Sequence, residues 1–320
     1  MRMNRRLALN IGFLAAIAAC AALVQARAPM VRTQAPGYYR LMLGDFEVTA
    51  LLDGTLMLPA ATLLSNTPKA QVNRYLARAA LTDPVETSVN AFLINTGSKL
   101  VLIDTGLGSF MGSGTGHLLE NLKASGYLPE QVDEIYITHM HPDHIGGLAD
   151  NGTAAFPNAL VRASRLEADY WLDPDKLAAA PAEAKEGFQH AQQSIDPYGK
   201  AGKFSPFEDG ATLLPGIRAI ATHGHSPGHT SYLIESRGEK MLVLGDLVHV
   251  AAVQFPHPSA TMQFDQDSHA ALAQRLKVYH DAAEGGYWVA AAHVSFPGIG
   301  HLRAQGDGYV WLPANYGIAH

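Results

Sequence analysis

The chain has 320 residues, of which 48% are apolar, 8% aromatic and 16% charged. This composition excludes a disordered or low-complexity chain and permits a sizeable core. A formal charge of −6 argues against nucleic acid as the main partner. The lone cysteine, Cys20, excludes a disulfide framework, so any metal must be held by nitrogen and oxygen ligands.

The opening segment carries Arg2, Arg5 and Arg6, then an apolar run from Leu7 to Val24 broken only by Asn10, then Val24-Gln25-Ala26 as a small-residue cleavage point. This pattern predicts a signal peptide over 1–26 and an exported protein, periplasmic or secreted, with no membrane span once mature. Its removal takes away three arginines and no acids, moving the formal charge from −6 to −9. Alternatives are a retained anchor helix, twin-arginine export through Arg5-Arg6, and a lipoprotein tether at Ile17-Ala18-Ala19-Cys20. The Ala-rich run favours cleavage, and the apolar residues past Cys20 count against the tether. Residues 27–37, with Pro29 and Pro36, read as a leader, and 38–320 as one domain without a linker-like break.

Strands are predicted at Phe46–Leu52, Ser88–Asn95, Lys99–Asp104, Asp133–Thr138, Ala159–Ala163, Ile217–Ala221, Ser231–Glu235, Lys240–Asp246 and Tyr287–Ala292, each short, β-branched-rich and bounded by turn residues. Asn95-Thr96-Gly97-Ser98 is a hairpin signal. Helices are predicted at Pro68–Ala80, His117–Ser125, Leu166–Trp171, Ala182–Ser194 and Ser268–Ala283, the last capped by Asp267 and stopped by Gly285-Gly286. Hairpins mixed with helix-separated strands predict a layered α/β protein.

The chemistry concentrates in Thr138-His139-Met140-His141-Pro142-Asp143-His144-Ile145-Gly146-Gly147, directly after the apolar strand Ile135-Tyr136-Ile137. Three histidines and an aspartate within six residues are costly to crowd unless something binds them. Imidazole nitrogens and carboxylate oxygens are the donors that zinc-like ions take. A surface His-rich loop is the alternative, and an aspartate in register speaks against it. Other polar groups stand at strand ends: Asp104 in Leu102–Gly106, the histidines of Thr222–Thr230, Asp246 after Val243-Leu244-Gly245, and His293 after Ala290–Ala292.

His139, His141, Asp143 and His144 match the H-x-H-x-D-H signature of the metallo-β-lactamase superfamily, and Asp104, His225, Asp246 and His293 follow in that superfamily's order. The resemblance runs from about Ala35 to the C-terminus. It is closest to the methyl parathion hydrolase group, which has lactonase-like members, through Ala35–Phe46, Gln131–Gly147 and Ser295–His301. It implies an αββα sandwich of two mixed β-sheets with outer helices, and two divalent ions, zinc first, with manganese, cobalt or iron accepted by the same ligands. By the motif, His139, His141 and His225 would hold one ion, Asp143, His144 and His293 the other, and Asp246 both. His229 and Asp104 would stand behind the ligands, and His223 is a competing candidate outside the motif.

The resemblance further implies a hydrolase in which a metal-bridging hydroxide attacks a carbonyl or phosphorus centre, with Asp143 carrying the proton to the leaving group. His249 is a departure: related homoserine-lactone-cleaving enzymes have a carbonyl-contacting tyrosine there, and the methyl parathion hydrolases an apolar residue. A histidine donor favours a lactone or aryl ester over an organophosphate triester; a loop histidine that never meets substrate is the alternative. Leu63, Leu64, Met111, Trp171, Phe188, Met262 and Phe264 fall in segments that line the group's substrate cleft and would suit a small apolar or aromatic ester. A homodimer is expected from the same group. A non-catalytic metal-binding protein is the reading from another class, and the complete ligand set counts against it.

Overall fold

The computed structural model describes residues 28–110 and 112–317. The expected signal at 1–26 and the candidate pocket residue Met111 lie outside the described residues. Residues 1–35 form one unit, whose described part, 28–35, carries no helix or strand. Residues 36–320 form a second, compact unit, in which the elements below lie.

In chain order these begin with β1 (Tyr38–Leu43), β2 (Phe46–Leu58), α1 (Ala60–Leu63), α2 (Lys69–Arg78), β3 (Val85–Asn95), β4 (Leu100–Ile103), α3 (Leu118–Ala124), β5 (Glu134–Tyr136) and α4 (Pro142–Ile145). A small hairpin, β6 (Ala149–Asp150) and β7 (Thr153–Ala154), leads to β8 (Leu160–Arg162), α5 (Arg165–Trp171), α6 (Pro174–Ala179) and α7 (Ala182–Lys200). The rest is β9 (Thr212–Leu214), β10 (Ile217–Ala221), β11 (Thr230–Ser236), β12 (Glu239–Val243), α8 (Ala251–Gln254), α9 (Ser268–Gly285), β13 (Trp288–Ala290), β14 (Ile299–Gln305) and β15 (Gly308–Pro313).

The strands make two large mixed sheets, ordered β1-β2-β3-β4-β5-β8 and β15-β14-β13-β12-β11-β10-β9. Pairing is antiparallel except at β4–β5, β5–β8 and β12–β13. Between the sheets lies one buried cluster, with Phe92, Ile94, Val101 and Tyr136 from the first and Tyr232, Ile234, Met241 and Val243 from the second. The outer face of the first sheet (Leu93, Leu102, Ile135, Val161) packs on α3 and α7 through Leu118, Leu122, Phe188, Ile195 and Tyr198. The outer face of the second (Leu242, Val289, Leu302) packs on α9 through Val278, Tyr279 and Ala282. Alternating strand residues therefore bury on both faces, giving helix, sheet, sheet, helix: the αββα sandwich.

Where the predicted elements differ from the observed ones, packing is the reason. β2 continues past Asp53-Gly54, a turn signal in sequence, through a register shift between Leu52 and Gly54. Helix α7 runs through Pro197 to Lys200, because Tyr198 beyond it is buried and joins Phe156 N–H and Leu148 C=O. The hairpin at Thr96–Lys99 closes with Thr96 N donating to Lys99 O at 2.9 Å. Asp267 caps α9, and Gly286 ends it at φ 63°. No described helix is long and apolar enough to cross a membrane.

Tyr232, in the cluster between the sheets, donates its Oη–H to Ile137 O at 2.7 Å in a buried hydrogen bond. Tyr232→Phe leaves that carbonyl unpaired and is expected to lower unfolding stability by about 1–3 kcal/mol, read as a shifted urea midpoint at unchanged slope.

Candidate metal centre

The donors converge at one edge of the sandwich, where strands of both sheets end. After β5 the chain stays extended, so His139 and His141 face the site while Met140 between them is buried in the core. Pro142 starts α4, whose single turn carries Asp143 and His144. Gly146 and Gly147 follow because the segment after β4 crosses over them: a Cβ at either would fall 2.1 Å from Leu107 O or Thr105 O.

The parallel pairs set the rest. In β4–β5, Ile103 pairs with Tyr136, which brings Asp104 beside Thr138. In β12–β13, Val243 pairs with Ala290, so Asp246 and His293, each three residues further on, arrive together. His225 comes from the β10–β11 loop.

Two donor sets result, each with its donor atoms within 4.8 Å of one another: His139, His141, His225 and Asp246, and Asp143, His144, His293 and Asp246. Asp246 serves both. Its Oδ2 is 3.5 Å from His139 Nε2 and 3.3 Å from His225 Nε2. Its Oδ1 is 3.1 Å from His144 Nε2 and 3.2 Å from His293 Nε2. His141 turns Nδ1 to within 3.0 Å of His139 Nε2 and His225 Nε2. Asp143 Oδ2 lies 3.2 Å from His293 Nε2.

Partners behind the ligands decide which ring nitrogen faces inward. Asp104, at φ 61°, accepts Thr138 N–H, Thr138 Oγ–H and His144 Nδ1–H, each at 2.8 Å. Because Thr138 Oγ donates to Asp104, it accepts from His139 Nδ1 at 3.1 Å. His293 Nδ1 donates to Ser88 O, and His225 Nδ1 to Asp265 Oδ1, both at 3.0 Å. Each leaves Nε2 free to bind. His229 Nε2 accepts Asp246 N–H at 3.0 Å, so its proton sits on Nδ1, facing Thr222 O. Burial holds that ring well below the ordinary histidine range, hence neutral.

Burial also lowers His139, and it lowers His141 to about 3 with help from the neighbouring His225. His293 goes the other way: burial disfavours its charge, but Asp246 and Asp143 outweigh that and raise it to about 10. His144 is raised too, against burial, by Asp246, Asp143 and Asp104. Burial disfavours the Asp143 carboxylate, yet His144 and His293 hold it below its ordinary range.

Buried His144 Nε2 and Asp246 Oδ1 have no hydrogen-bond partner. Such orphaned atoms, aimed inward and made only of imidazole nitrogen and carboxylate oxygen, fit two borderline divalent cations.

His249 lies over the shared carboxylate, Nε2 being 3.1 Å from Asp246 Oδ2, and its ring stacks on His293 at 5.3 Å and 16°. Both of its ring nitrogens are buried, and neither has a hydrogen-bond partner outside the site. Trp171 meets His141 edge-on at 5.5 Å, and Phe264, 43% exposed, is 5.9 Å from His249. The other described wall candidates sit in packing instead. Leu64 and Met262 are buried in the cluster that joins α1 and α2 to the loop after α8, with Leu63 against it, and Phe188 is buried against Trp171. His223 is at the surface, 3.2 Å from Asp209, outside both donor sets.

Sequence reading missed four residues here: Asp265, Glu167, and two that hold the loops, Arg275 and Gln254. Arg275, fully buried, donates to Leu247 O and Ala260 O. Gln254 Oε1 accepts the backbone N–H of His249 and Val250. None lies in a motif or at a strand end, so no spacing signal marks them.

The fold is an αββα sandwich whose paired His and Asp sets are suited to hold two cations at one edge. The chain belongs to the metallo-beta-lactamase superfamily, whose family model matches residues 84–294. Among solved structures it is similar to the hydrolase AbOPH of the beta lactamase superfamily, at 42% identity and TM-score 0.86 over 89% of this chain and 100% of that one. It is also similar to AidC, a dizinc quorum-quenching lactonase solved with a product, at 28% identity and TM-score 0.82 over 88% and 99%. Among curated proteins it is 29% identical over 132 residues to the N-acyl homoserine lactonase AttM of Agrobacterium fabrum, covering 39% of this chain and 44% of that relative. The match thus spans less than half of that lactonase.

Because Asp246 belongs to both sets, Asp246→Ala is expected to abolish binding of both ions, whereas His225→Ala abolishes one; elemental analysis after gel filtration reads the difference. Cation affinity should rise with pH up to about 10, since His293 must lose its proton to bind. Calorimetry in two buffers of different ionisation enthalpy measures the released protons, and a pH-independent affinity contradicts this.

Proposed function

We propose that the protein is a dinuclear hydrolase of lactones, with N-acyl homoserine lactones as the first substrate class, aryl esters as the second, and zinc as the first choice of ion. The observation that carries this reading is His249, a buried ring with no hydrogen-bond partner outside the site, its Nε2 3.1 Å from a carboxylate shared by two donor sets. Similarity to AidC and to the Agrobacterium lactonase supports the lactone class.

Divalent ions bound in the two sets supply Lewis acidity and bring the pKa of water towards neutrality. The chain's own groups do the rest. Burial is the main reason His249 is held below the ordinary histidine range, so it is neutral with one N–H. That N–H donates to the ester carbonyl oxygen as negative charge develops on it. Asp143, at 22% the most open of the donor carboxylates, is ionised and accepts the proton of the attacking water. It then returns the proton to the leaving alkoxide, completing ring opening to the hydroxy acid. Trp171 and Phe264 provide apolar surface for the acyl side.

His249→Leu is expected to lower kcat on an acyl-homoserine lactone and on an aromatic lactone by about 100-fold, the cost of one oxyanion donor, with phosphotriester turnover kept or raised. Metal content must stay at two equivalents for the comparison to count. A phosphotriester as best substrate, indifferent to the substitution, would make the protein an organophosphate hydrolase instead.

A further inference from the structure

Glu167, in the first turn of α5, belongs to neither donor set, yet it is fully buried, and no lysine or arginine is paired with it among the described residues. Four donors surround its carboxylate. Oε1 accepts Met140 N–H at 2.8 Å and Trp171 Nε1–H at 2.7 Å. Oε2 accepts Ser226 Oγ–H at 2.7 Å and Gly228 N–H at 2.8 Å. Four hydrogen bonds to one carboxylate offset much of its burial cost, because bonds to a charged acceptor are the strong ones.

The donors are not scattered. Met140 lies between His139 and His141, and Ser226 and Gly228 follow His225. One carboxylate thus ties together the two loops that carry all three histidines of the first donor set. Among the described residues it makes no hydrogen bond to the loop of His293 or to the turn of Asp143 and His144. The fit is tight: a Cβ on Gly228 would stand 2.3 Å from Glu167 N, so the glycine lets the His225 loop close on α5. The fourth donor, Trp171, is the residue whose ring meets His141 edge-on.

We propose that Glu167 is a positioning residue that fixes the spacing of His139, His141 and His225, and so sets the cation affinity of that pocket separately from the pocket of Asp143, His144 and His293. The inference rests on the dinuclear reading above. A carboxylate is required, not merely a polar group of the same size. In Glu167→Gln, either orientation of the amide sets an NH2 group against a backbone N–H, of Met140 or of Gly228.

The test is a cobalt(II) titration of the chelator-stripped full chain, read by visible absorption and by bound cobalt, for the unaltered protein, Glu167→Gln, Ser226→Ala and His225→Ala. The equivalent lost in His225→Ala identifies the first pocket. Glu167→Gln is expected to weaken that equivalent by about 10–100-fold and to change its absorption bands, leaving the other equivalent as it was. Ser226→Ala, which removes one donor and keeps the carboxylate, should weaken the same equivalent less. Where Glu167→Gln does not fold, by circular dichroism, Ser226→Ala decides. A selectively weakened first equivalent supports the inference, and an unchanged isotherm overturns it. Equal weakening of both equivalents also overturns it, marking a general structural role. Fewer than two equivalents in the unaltered chain would overturn the dinuclear reading and this inference with it, whereas two equivalents there and an unaltered isotherm in Glu167→Gln overturn the inference alone.

Discussion

The constraint on which the centre depends is a single buried carboxylate, Asp246, that faces five imidazoles with two oxygens. Isolated charge in such a place costs several kcal/mol, and five histidines and two aspartates crowd the same small volume. The protein meets much of that cost by giving His139, His144, His225, His293 and Asp246 fixed outer partners, so that their orientation is settled before anything binds. Asp104, Asp265 and the carbonyl of Ser88 each take a ring N–H, and His229 takes the backbone N–H of Asp246 itself. What remains facing inward is a set of bare nitrogens and oxygens, complementary to cations and to little else.

That arrangement follows from the sheets more than from the loops. Parallel pairing aligns carboxyl-terminal strand ends, so residues at equal offsets past a matched pair become neighbours. The β12–β13 pair delivers Asp246 and His293 in this way, while β4–β5 brings Asp104, one residue past its matched pair, to Thr138, two past it. The outer helices contribute braces instead of donors: Glu167 from α5 and Arg275 from α9. Core and site are therefore one construction, since Tyr232, packed between the sheets, also holds the carbonyl of Ile137 two residues before His139.

How much of this was legible in the sequence depended on contiguity. His139, His141, Asp143 and His144 declare themselves because six residues carry the whole pattern. Asp104, His225, Asp246 and His293 are single residues that gain meaning only from their order in the superfamily motif. Asp265, Glu167, Arg275 and Gln254 act across separations of up to 61 residues, with no local period or spacing to mark them. The same holds for the fold. β1, β14 and β15, which the sequence reading did not pick out, are stabilised by neighbours in the sheet, and α7 crosses a proline because Tyr198 has a buried place to go. Leu64, Met262 and Phe188 show the converse, as apolar residues near a motif that the tertiary structure spends on packing.

His249 differs from the histidines around it in a way that bears on its role. His139, His144, His225 and His293 each have one nitrogen bonded outward, which fixes the other towards the cation space. His249 has no such bond at either nitrogen. Its place is set by packing on His293 and by Gln254, which grips its backbone N–H and that of Val250. A ligand histidine benefits from a fixed tautomer, because a cation needs a lone pair in a known direction. A donor to an arriving substrate needs a fixed ring and a free N–H, and a partner in the resting protein would have to be broken on each binding event. The absence of an outer partner distinguishes His249 from those four neighbours, though not from His141, and fits a group whose partner enters with the ester.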